Sequence, residues 1–340
     1  MAEVTISGHL DQGLTGKSGT VAGANSYTYS GIASVDAPSF IVFAGSEDLG
    51  GGLKASFHIE NGLNMNSSSL LSDVNTTTWN NGLSGNNRET WVSLGGEFGD
   101  IKLGTQYAPL FFTVLSNDPG GLNNAPGVLA GGQMYSSANA WVNNNATTYT
   151  SPAVSGITFS AQIVSGTTNS ASGTQGNGFG YSLSYASGAL SASVAYNSTA
   201  VTSTSTKFAG GGTTLGTTEN ATVTTTAGDS YTATAVGANY DLGVAKISYV
   251  NTQTALNSYS SNYNMAGITV PFGAASIGYS FTSGNTSVTA STNRSETGQQ
   301  LIGYYNFSKR TKGYLIYGNA KDTTNNNSVT MTSIGIGHNF

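Results

Sequence analysis

Apolar side chains recur at every second position in segment after segment of this chain, yet no run of about twenty apolar residues occurs anywhere. Leu53, Ala55, Phe57 and Ile59 alternate with Lys54, Ser56, His58 and Glu60. Tyr181, Leu183 and Tyr185 alternate with Ser182, Ser184 and Ala186, and Leu190, Ala192, Val194 and Tyr196 do so with Ser191, Ser193, Ala195 and Asn197. In the last ten residues Thr332, Ile334, Ile336, His338 and Phe340 share one face, and Met331, Ser333, Gly335, Gly337 and Asn339 share the other. A period of two is that of a β-strand with two unlike faces. A water-soluble sheet alternates in the same way, so the pattern alone does not choose the solvent. If the chain spans a membrane, a closed barrel is the available form, because strands pair all their backbone groups only when no edge is left.

Only 8% of the 340 residues are charged, about a third of the usual share of roughly 25%. With 46 Gly, 6 Pro and long Ser, Thr and Asn tracts, the chain offers many hydrogen-bonding groups and few ions. That suits a surface facing confined water or loops at a bilayer edge. Disorder is a poor fit, because 18 Tyr and 13 Phe supply too much apolar area. A net charge of -5 with 11 scattered Lys and Arg argues against a nucleic-acid partner. Absence of cysteine removes disulfides, thiolate nucleophiles and thiolate metal sites together. Met1-Ala2-Glu3-Val4 enters a strand pattern at once, which reads as a mature chain with an added start methionine and its signal peptide left off.

Connections alternate between very short and very long. Tight turns are expected at 47–52, 95–100, 152–156, 187–188, 241–243, 271–273 and 308–312, all rich in Gly, Pro, Asp or Ser. Long polar stretches occupy 16–35, 61–87, 108–145, 166–177, 198–229, 252–261, 283–295 and 321–327. About sixteen strands fit between them, in the even-number range of bacterial outer-membrane barrels. The expected fold class is therefore all-β, a transmembrane antiparallel barrel of about sixteen strands forming a single domain over 1–340. Tyr107, Tyr149, Tyr240, Tyr304 and Tyr317 fall near strand ends, where interfacial girdles are expected.

At Gly45-Ser46-Glu47-Asp48-Leu49-Gly50-Gly51-Gly52-Leu53-Lys54-Ala55 the chain resembles the first periplasmic turn of the general porins of Gram-negative bacteria, in their proteobacterial and neisserial branch. Trp91-Val92-Ser93-Leu94-Gly95-Gly96-Glu97-Phe98-Gly99-Asp100-Ile101-Lys102-Leu103-Gly104 is similar to that family's next turn. The closing Gly337-His338-Asn339-Phe340 resembles its carboxyl-terminal strand, and Asp241-Leu242-Gly243 and Asn306-Phe307-Ser308-Lys309-Arg310-Thr311 resemble further porin turns. The resemblance implies a water-filled outer-membrane channel for passive diffusion, usually a homotrimer, with a third loop folded inward to constrict the pore. It implies that this loop is 108–145, that 61–87 latches onto a neighbour, and that Phe340 is recognised by the barrel assembly machinery. Outer-membrane lipid and lipopolysaccharide are the implied surroundings, small hydrophilic solutes the cargo, and no cofactor is called for.

General porins commonly set acidic loop groups against a row of Arg and Lys on the wall, and this chain departs from that pattern. Phe40, Val42 and Ala44 occupy lumen parity where the family often has Arg. On the next strand but one, Glu89, Trp91 and Ser93 have inward parity and Arg88, Thr90, Val92 and Leu94 outward, although Arg88 lies near the strand end and can bend over the rim. The candidate inward ions are Lys54, His58, Glu60, Glu89 and Lys102, with Arg88 at the rim and Asp118 on the loop beside Asn117, Asn123 and Asn124. This set is small and nearly balanced, and salt screens fields beyond about 8 Å. The expectation is a pore that passes neutral polar solutes and discriminates anions from cations weakly. Trp91, Trp141, Phe111 and Phe112 either face sugar rings or aromatic acids, or pack the loop against the wall.

Other chemistries fare worse. His58 and Glu60 share a strand face beside Ser56, but no nucleophile motif or oxyanion donors accompany them. No His-x-x-His or acidic calcium loop appears, so no metal site is expected from spacing. The glycine-rich stretches 173–180 and 210–212 do not join a strand to a helix as a phosphate cradle does. The rival reading is a surface-exposed structural or adhesive outer-membrane protein, with adhesion residing in 61–87 or 198–229. A solenoid requires a fixed repeat, and none is found.

Overall fold

The computed structural model describes residues 3–20, 26–29, 35–63, 65, 87–121, 123, 125, 141–166, 176–201, 205–209, 220–287, 293–324 and 326–340. In chain order the elements begin with β1 (Glu3–Gly19), β2 (Ser26–Tyr29), β3 (Phe40–Gly50), β4 (Leu53–Gly62), β5 (Asn87–Gly96) and β6 (Gly99–Tyr107). Helix α1 (Pro109–Asn117) follows, then β7 (Val142–Thr150), β8 (Ile157–Val164), β9 (Gly178–Ser187), β10 (Leu190–Ala200), β11 (Ser205–Ala209) and β12 (Asn220–Thr224). The last seven are β13 (Ser230–Asp241), β14 (Lys246–Leu256), β15 (Tyr259–Phe272), β16 (Ala275–Ser287), β17 (Asn293–Asn306), β18 (Thr311–Asp322) and β19 (Asn327–Asn339).

Each long strand pairs antiparallel with its neighbours in sequence, and β1 closes the ring by pairing with β19 along His9–Gly19 and with β3 along Glu3–His9. Short β2 lies against Leu14–Lys17 of β1, and β11 with β12 forms a separate hairpin. Sixteen long strands thus make a closed antiparallel barrel with no free sheet edge. The closing seam is tied by reciprocal backbone bonds of 3.1 Å between Gly8 and Phe340. A Cβ on Gly8 would come within 2.5 Å of the Phe340 ring, so the glycine is what lets the terminal aromatic lie over the seam.

The barrel is apolar on its outside. Ile6, Val92, Ile163, Leu315 and Ile334 are among the most exposed side chains, joined by Leu183, Val194, Phe159, Tyr279 and Phe281. Their inward neighbours include Asp11, Thr15, Ser93, Gln162, Asn239, Thr252, Ser280, Gln300 and Ser333, which are buried. An exposed apolar belt around a polar interior inverts the globular arrangement and is what contact with lipid demands. The terminal strand follows the expected parity, with Thr332, Ile334, Ile336 and Phe340 outward and Met331 and Ser333 inward.

All seven tight turns lie where the Gly, Pro and Asp clusters place them. Two polar stretches read as loops are instead largely strand, and a third is a shorter turn than expected. β14 and β15 meet in a turn of two residues, Asn257 and Ser258, with Asn257 at φ 51°. β16 and β17 extend to Ser287 and from Asn293, and β18 and β19 to Asp322 and from Asn327. Above the lipid both faces of a strand meet polar surroundings, so the alternation that marks strands disappears while the backbone ladder continues. Tyr149, Tyr240 and Tyr317 face outward as girdle residues, but Tyr107 and Tyr304 face inward, where they bond Arg88 and Asp36.

Candidate functional site

After β6 the chain leaves the wall. The Ala108 amide donates to the Trp141 carbonyl at 2.7 Å, so the two ends of the excursion are pinned together. Pro109 at the first helical turn supplies the helical φ and lacks the amide that would go unpaired there. Leu110 and Val114, four apart, put one apolar face of α1 against Ala195, Tyr231, Ala233 and Ala235 on the inner surface of β10 and β13. The helix ends where the Asp118 amide bonds the Val114 carbonyl and Pro119 follows.

From there the loop follows the inner wall. Asn117 donates to Ser193 Oγ at 2.9 Å and accepts from Asn239 Nδ2 at 2.8 Å. A Cβ on Gly237 would sit 2.5 Å from Asn117 Cγ, and one on Gly267 would overlap Pro119, so two wall glycines admit the loop at close range. Asn123 and Gln300 of β17 exchange a reciprocal amide pair at 3.1 Å in both directions. Ala125 packs with Ile302, Tyr314, Ile316 and Met331 on β17, β18 and β19. The described part of the loop therefore lines the inner wall from β8 round to β19, and of the inner face of β3 to β6 it touches the end of β6, where Phe111 meets Tyr107.

The inner face of β3 to β6 carries a connected polar and aromatic cluster. Glu60 of β4 is the register partner of Glu89 of β5, and a β-bulge follows at the Glu60/Asn61 step. The bulge overturns the outward parity expected for Arg88, because the extra residue turns it to the same side as Glu89. Arg88 Nε pairs with Glu60 Oε1, its Nη2 donates to the Tyr107 hydroxyl at 2.6 Å, and its guanidinium lies 5.4 Å from the Phe40 ring centroid. Glu60 Oε2 faces His58 Nε2 at 3.3 Å. Glu89 Oε1 accepts the Tyr107 amide at 3.2 Å. Trp91 stacks flat on His58, with centroids 5.3 Å apart, and Lys102 Nζ stands 4.4 Å over the Trp91 ring.

Seven of the expected lumen residues, Phe40, His58, Glu60, Arg88, Glu89, Trp91 and Lys102, are thus brought together on one wall. Lys54 is not with them: it is exposed at the turn end of β4, paired in register with Asp48 and Gly95. Asn117 and Asn123 are buried and turned to the wall, where they anchor the loop. Asp118 is also buried, its Oδ1 accepting the Gly120 amide at 2.7 Å. Asn124 lies outside the described residues. Phe111 packs edge-on to buried Trp141 at 4.6 Å and stacks on Tyr107 at 4.1 Å, so these aromatics hold the loop to the wall, whereas Phe112 is exposed.

Two further ionic groups escaped the sequence reading. Asp36, on the irregular segment before β3, pairs with Lys312 at 2.7 Å and accepts from the Tyr304 hydroxyl, while the Tyr314 hydroxyl donates to Asp11 at 2.9 Å. Near the other rim Arg294 bridges Glu296 at 3.4 Å and Asp322 at 3.1 Å, and Tyr263 donates to Glu296. Strand parity alone places Asp11, Glu296 and Asp322 inward, but Asp36 has no strand pattern around it.

A model of the family described as Gram-negative porin matches residues 1–327. No curated protein matches the chain. Among solved structures the fold is similar to the anion-selective porin from Comamonas acidovorans, at 22% identity and TM-score 0.78 with all of both chains covered. It is similar also to the trimer form of Vibrio cholerae OmpT, at 13% identity and TM-score 0.67 with 100% of this chain and 99% of that one covered. Salmonella typhi OmpF in complex with daunomycin follows the same path at 14% identity and TM-score 0.71, with 99% and 97% covered.

Proposed function

The chain belongs to the Gram-negative porin family, outer-membrane channels for passive diffusion of small hydrophilic solutes, and on that premise we propose how its lumen sorts them. The single domain 1–340 carries one pore, and the loop 108–145 sets its narrowest section against the wall formed by β3 to β6. What supports this reading is the asymmetry of the interior: the hydrogen bonds and apolar packing described for the loop fall mainly on the opposite half of the wall, with Phe111 on Tyr107 at the end of β6. Solutes pass beside Phe40, His58, Glu60, Arg88, Glu89, Trp91 and Lys102.

The channel discriminates weakly between anions and cations and favours neutral polar solutes. In support, the lumenal ions are largely paired with one another, as Arg88 with Glu60, Lys312 with Asp36, and Arg294 with Asp322. Paired charges make short-range dipoles, and salt screens what field reaches the open water over a decay length of about 8 Å. A tenfold salt gradient drives about 59 mV across a perfectly selective channel. The reversal potential expected here is within about 15 mV of zero. A potential near either limit rejects the reading.

Catalysis has no place in it. His58 bonds Glu60 and stacks on Trp91, His9 lies on β1, and His338 faces outward beside Thr311. The trimer is the proposed assembly, in line with the trimer form of one structural neighbour, and conductance steps in multiples of three test it. Phe340, with its ring over Gly8, is the proposed assembly signal for the barrel assembly machinery. Phe340→Ala is expected to lower the amount of barrel in the outer membrane severalfold while protein refolded in detergent keeps wild-type conductance, as read by heat-modifiable mobility and single-channel recording.

A further inference from the structure

We propose that His58, Glu60 and Glu89 form a lumenal site for a divalent transition cation of the zinc class, which on binding obstructs the channel. The inference rests on the porin reading for its consequence, and on side-chain geometry for the site itself. One ligand atom from each of the three residues lies within 4.8 Å of the other two. Zinc held by nitrogen and oxygen at about 2.0–2.2 Å needs its ligand atoms roughly 3.3–3.5 Å apart. His58 Nε2 and Glu60 Oε2 already stand 3.3 Å apart, and binding requires the Glu89 carboxylate to move in to match.

The surroundings hold the ligands in the sense such a site requires. Glu60 uses Oε1 for Arg88 and presents Oε2 to His58 Nε2 at 3.3 Å. Glu89 uses Oε1 for the Tyr107 amide at 3.2 Å, and its other oxygen is the one to turn toward a cation. The His58 ring is fixed by the parallel face of Trp91, with an interplanar angle of 7°. Outer partners of this kind orient ligands and raise metal affinity. The electrostatics agree: two carboxylates directly opposite across a strand pair repel, and Arg88 offsets one of them while also bonding the Tyr107 hydroxyl. A dication answers the other. Lys102, the other cation near the cluster, stands 4.4 Å from the centroid of the Trp91 ring.

The donor set selects the ion. One imidazole with two carboxylates suits zinc, nickel and copper, with water completing the coordination, whereas magnesium and calcium demand six or more oxygens. A search for ligand spacing within one segment misses this arrangement, because Glu89 arrives from the neighbouring strand through the register with Glu60.

The test uses the full chain in planar bilayers. Zinc chloride is expected to lower single-channel conductance at concentrations where equimolar magnesium chloride has no effect, and EDTA to restore it. His58→Ala and Glu89→Gln are each expected to raise the zinc concentration needed by about tenfold or more. Equal effects of zinc and magnesium, or variants as zinc-sensitive as the wild type, overturn the site. Calorimetric titration of zinc into detergent-purified protein decides the site without any conductance: heat of binding in the wild type that is lost in Glu89→Gln supports it, and no heat overturns it. Binding by calorimetry in a protein that conducts nothing before zinc is added supports the site and rejects the channel reading.

Discussion

Arginine in place of Leu183 is expected to destabilise the barrel in lipid by about 2–4 kcal/mol, a roughly 30- to 1,000-fold shift in the folding equilibrium. Leu183 is 47% exposed and sits in register between Val194 and Phe159, whose side chains are exposed on the same outer face. It is four residues from the last residue of β9, or about 13 Å along a tilted strand, which places it near the middle of an apolar band about 25 Å tall. A guanidinium there has no protein partner and must draw water into hydrocarbon. Ser56→Arg provides the contrast, because Ser56 is register partner to Ser46 and Ser93 on the lumen side of β4. Its expected cost is below about 1 kcal/mol, as for a surface substitution. Urea unfolding in lipid vesicles, followed by tryptophan fluorescence and heat-modifiable mobility, reads both. Equal stability of the two variants would mean that the outer face of β9 does not meet lipid.

The outer face was legible because lipid imposes a strict rule on it. Leu53, Phe57, Leu183, Val194 and Ile334 follow a two-residue period that marks strands with two unlike faces, and the scarcity of charge together with the spacing of the turns points the greasy face at lipid. The turns were legible for a different reason: Gly50, Gly51, Gly52, Gly99, Gly156, Gly188, Gly243 and Gly273 adopt positive φ, a conformation that favours glycine and so marks itself in the sequence. Where neither constraint acts, reading failed. Thr252, Thr254 and Ser261 were assigned to a loop although they lie in β14 and β15, since polar side chains above the lipid carry no period.

The candidate site was legible in part. Parity brought His58, Glu60, Glu89 and Trp91 to one face, and cross-strand register makes them neighbours. Arg88 has outward parity by plain alternation and reads as a rim residue, because the β-bulge that turns it inward is a single inserted residue and leaves no mark in composition. Asn117 and Asn123 read as pore-lining in the sequence because they are polar residues on an inward loop. In the structure their amides satisfy the polar groups of the wall, Ser193, Asn239 and Gln300, which would otherwise be buried unpaired. Which of two polar surfaces an amide faces is decided by packing between residues more than seventy positions apart.

The wall glycines give the most direct control over the pore. Gly237→Ala is expected to narrow the channel, because its new Cβ falls 2.5 Å from Asn117 Cγ and 2.6 Å from Asn117 Cβ and Nδ2. These atoms are not the loose end of a long side chain. Asn117 closes α1, and its amide is held by Thr113, Ser193 and Asn239, so relief requires the helix end to leave the wall. The only open direction is toward the axis. Overpacking of this kind costs about 1–3 kcal/mol, less than the barrel's own pairing supplies, so the strands hold and the loop yields. Single-channel conductance is expected to fall by on the order of tens of per cent with added flicker. Gly278→Ala is the control: it adds the same atom to β16, three strands along the wall, where the nearest group is Thr269 Oγ1 at 3.5 Å, and conductance is expected to stay at the wild-type value. Unchanged conductance in Gly237→Ala would detach α1 from the narrowest section of the pore, and an equal fall in both variants would assign the effect to the strands.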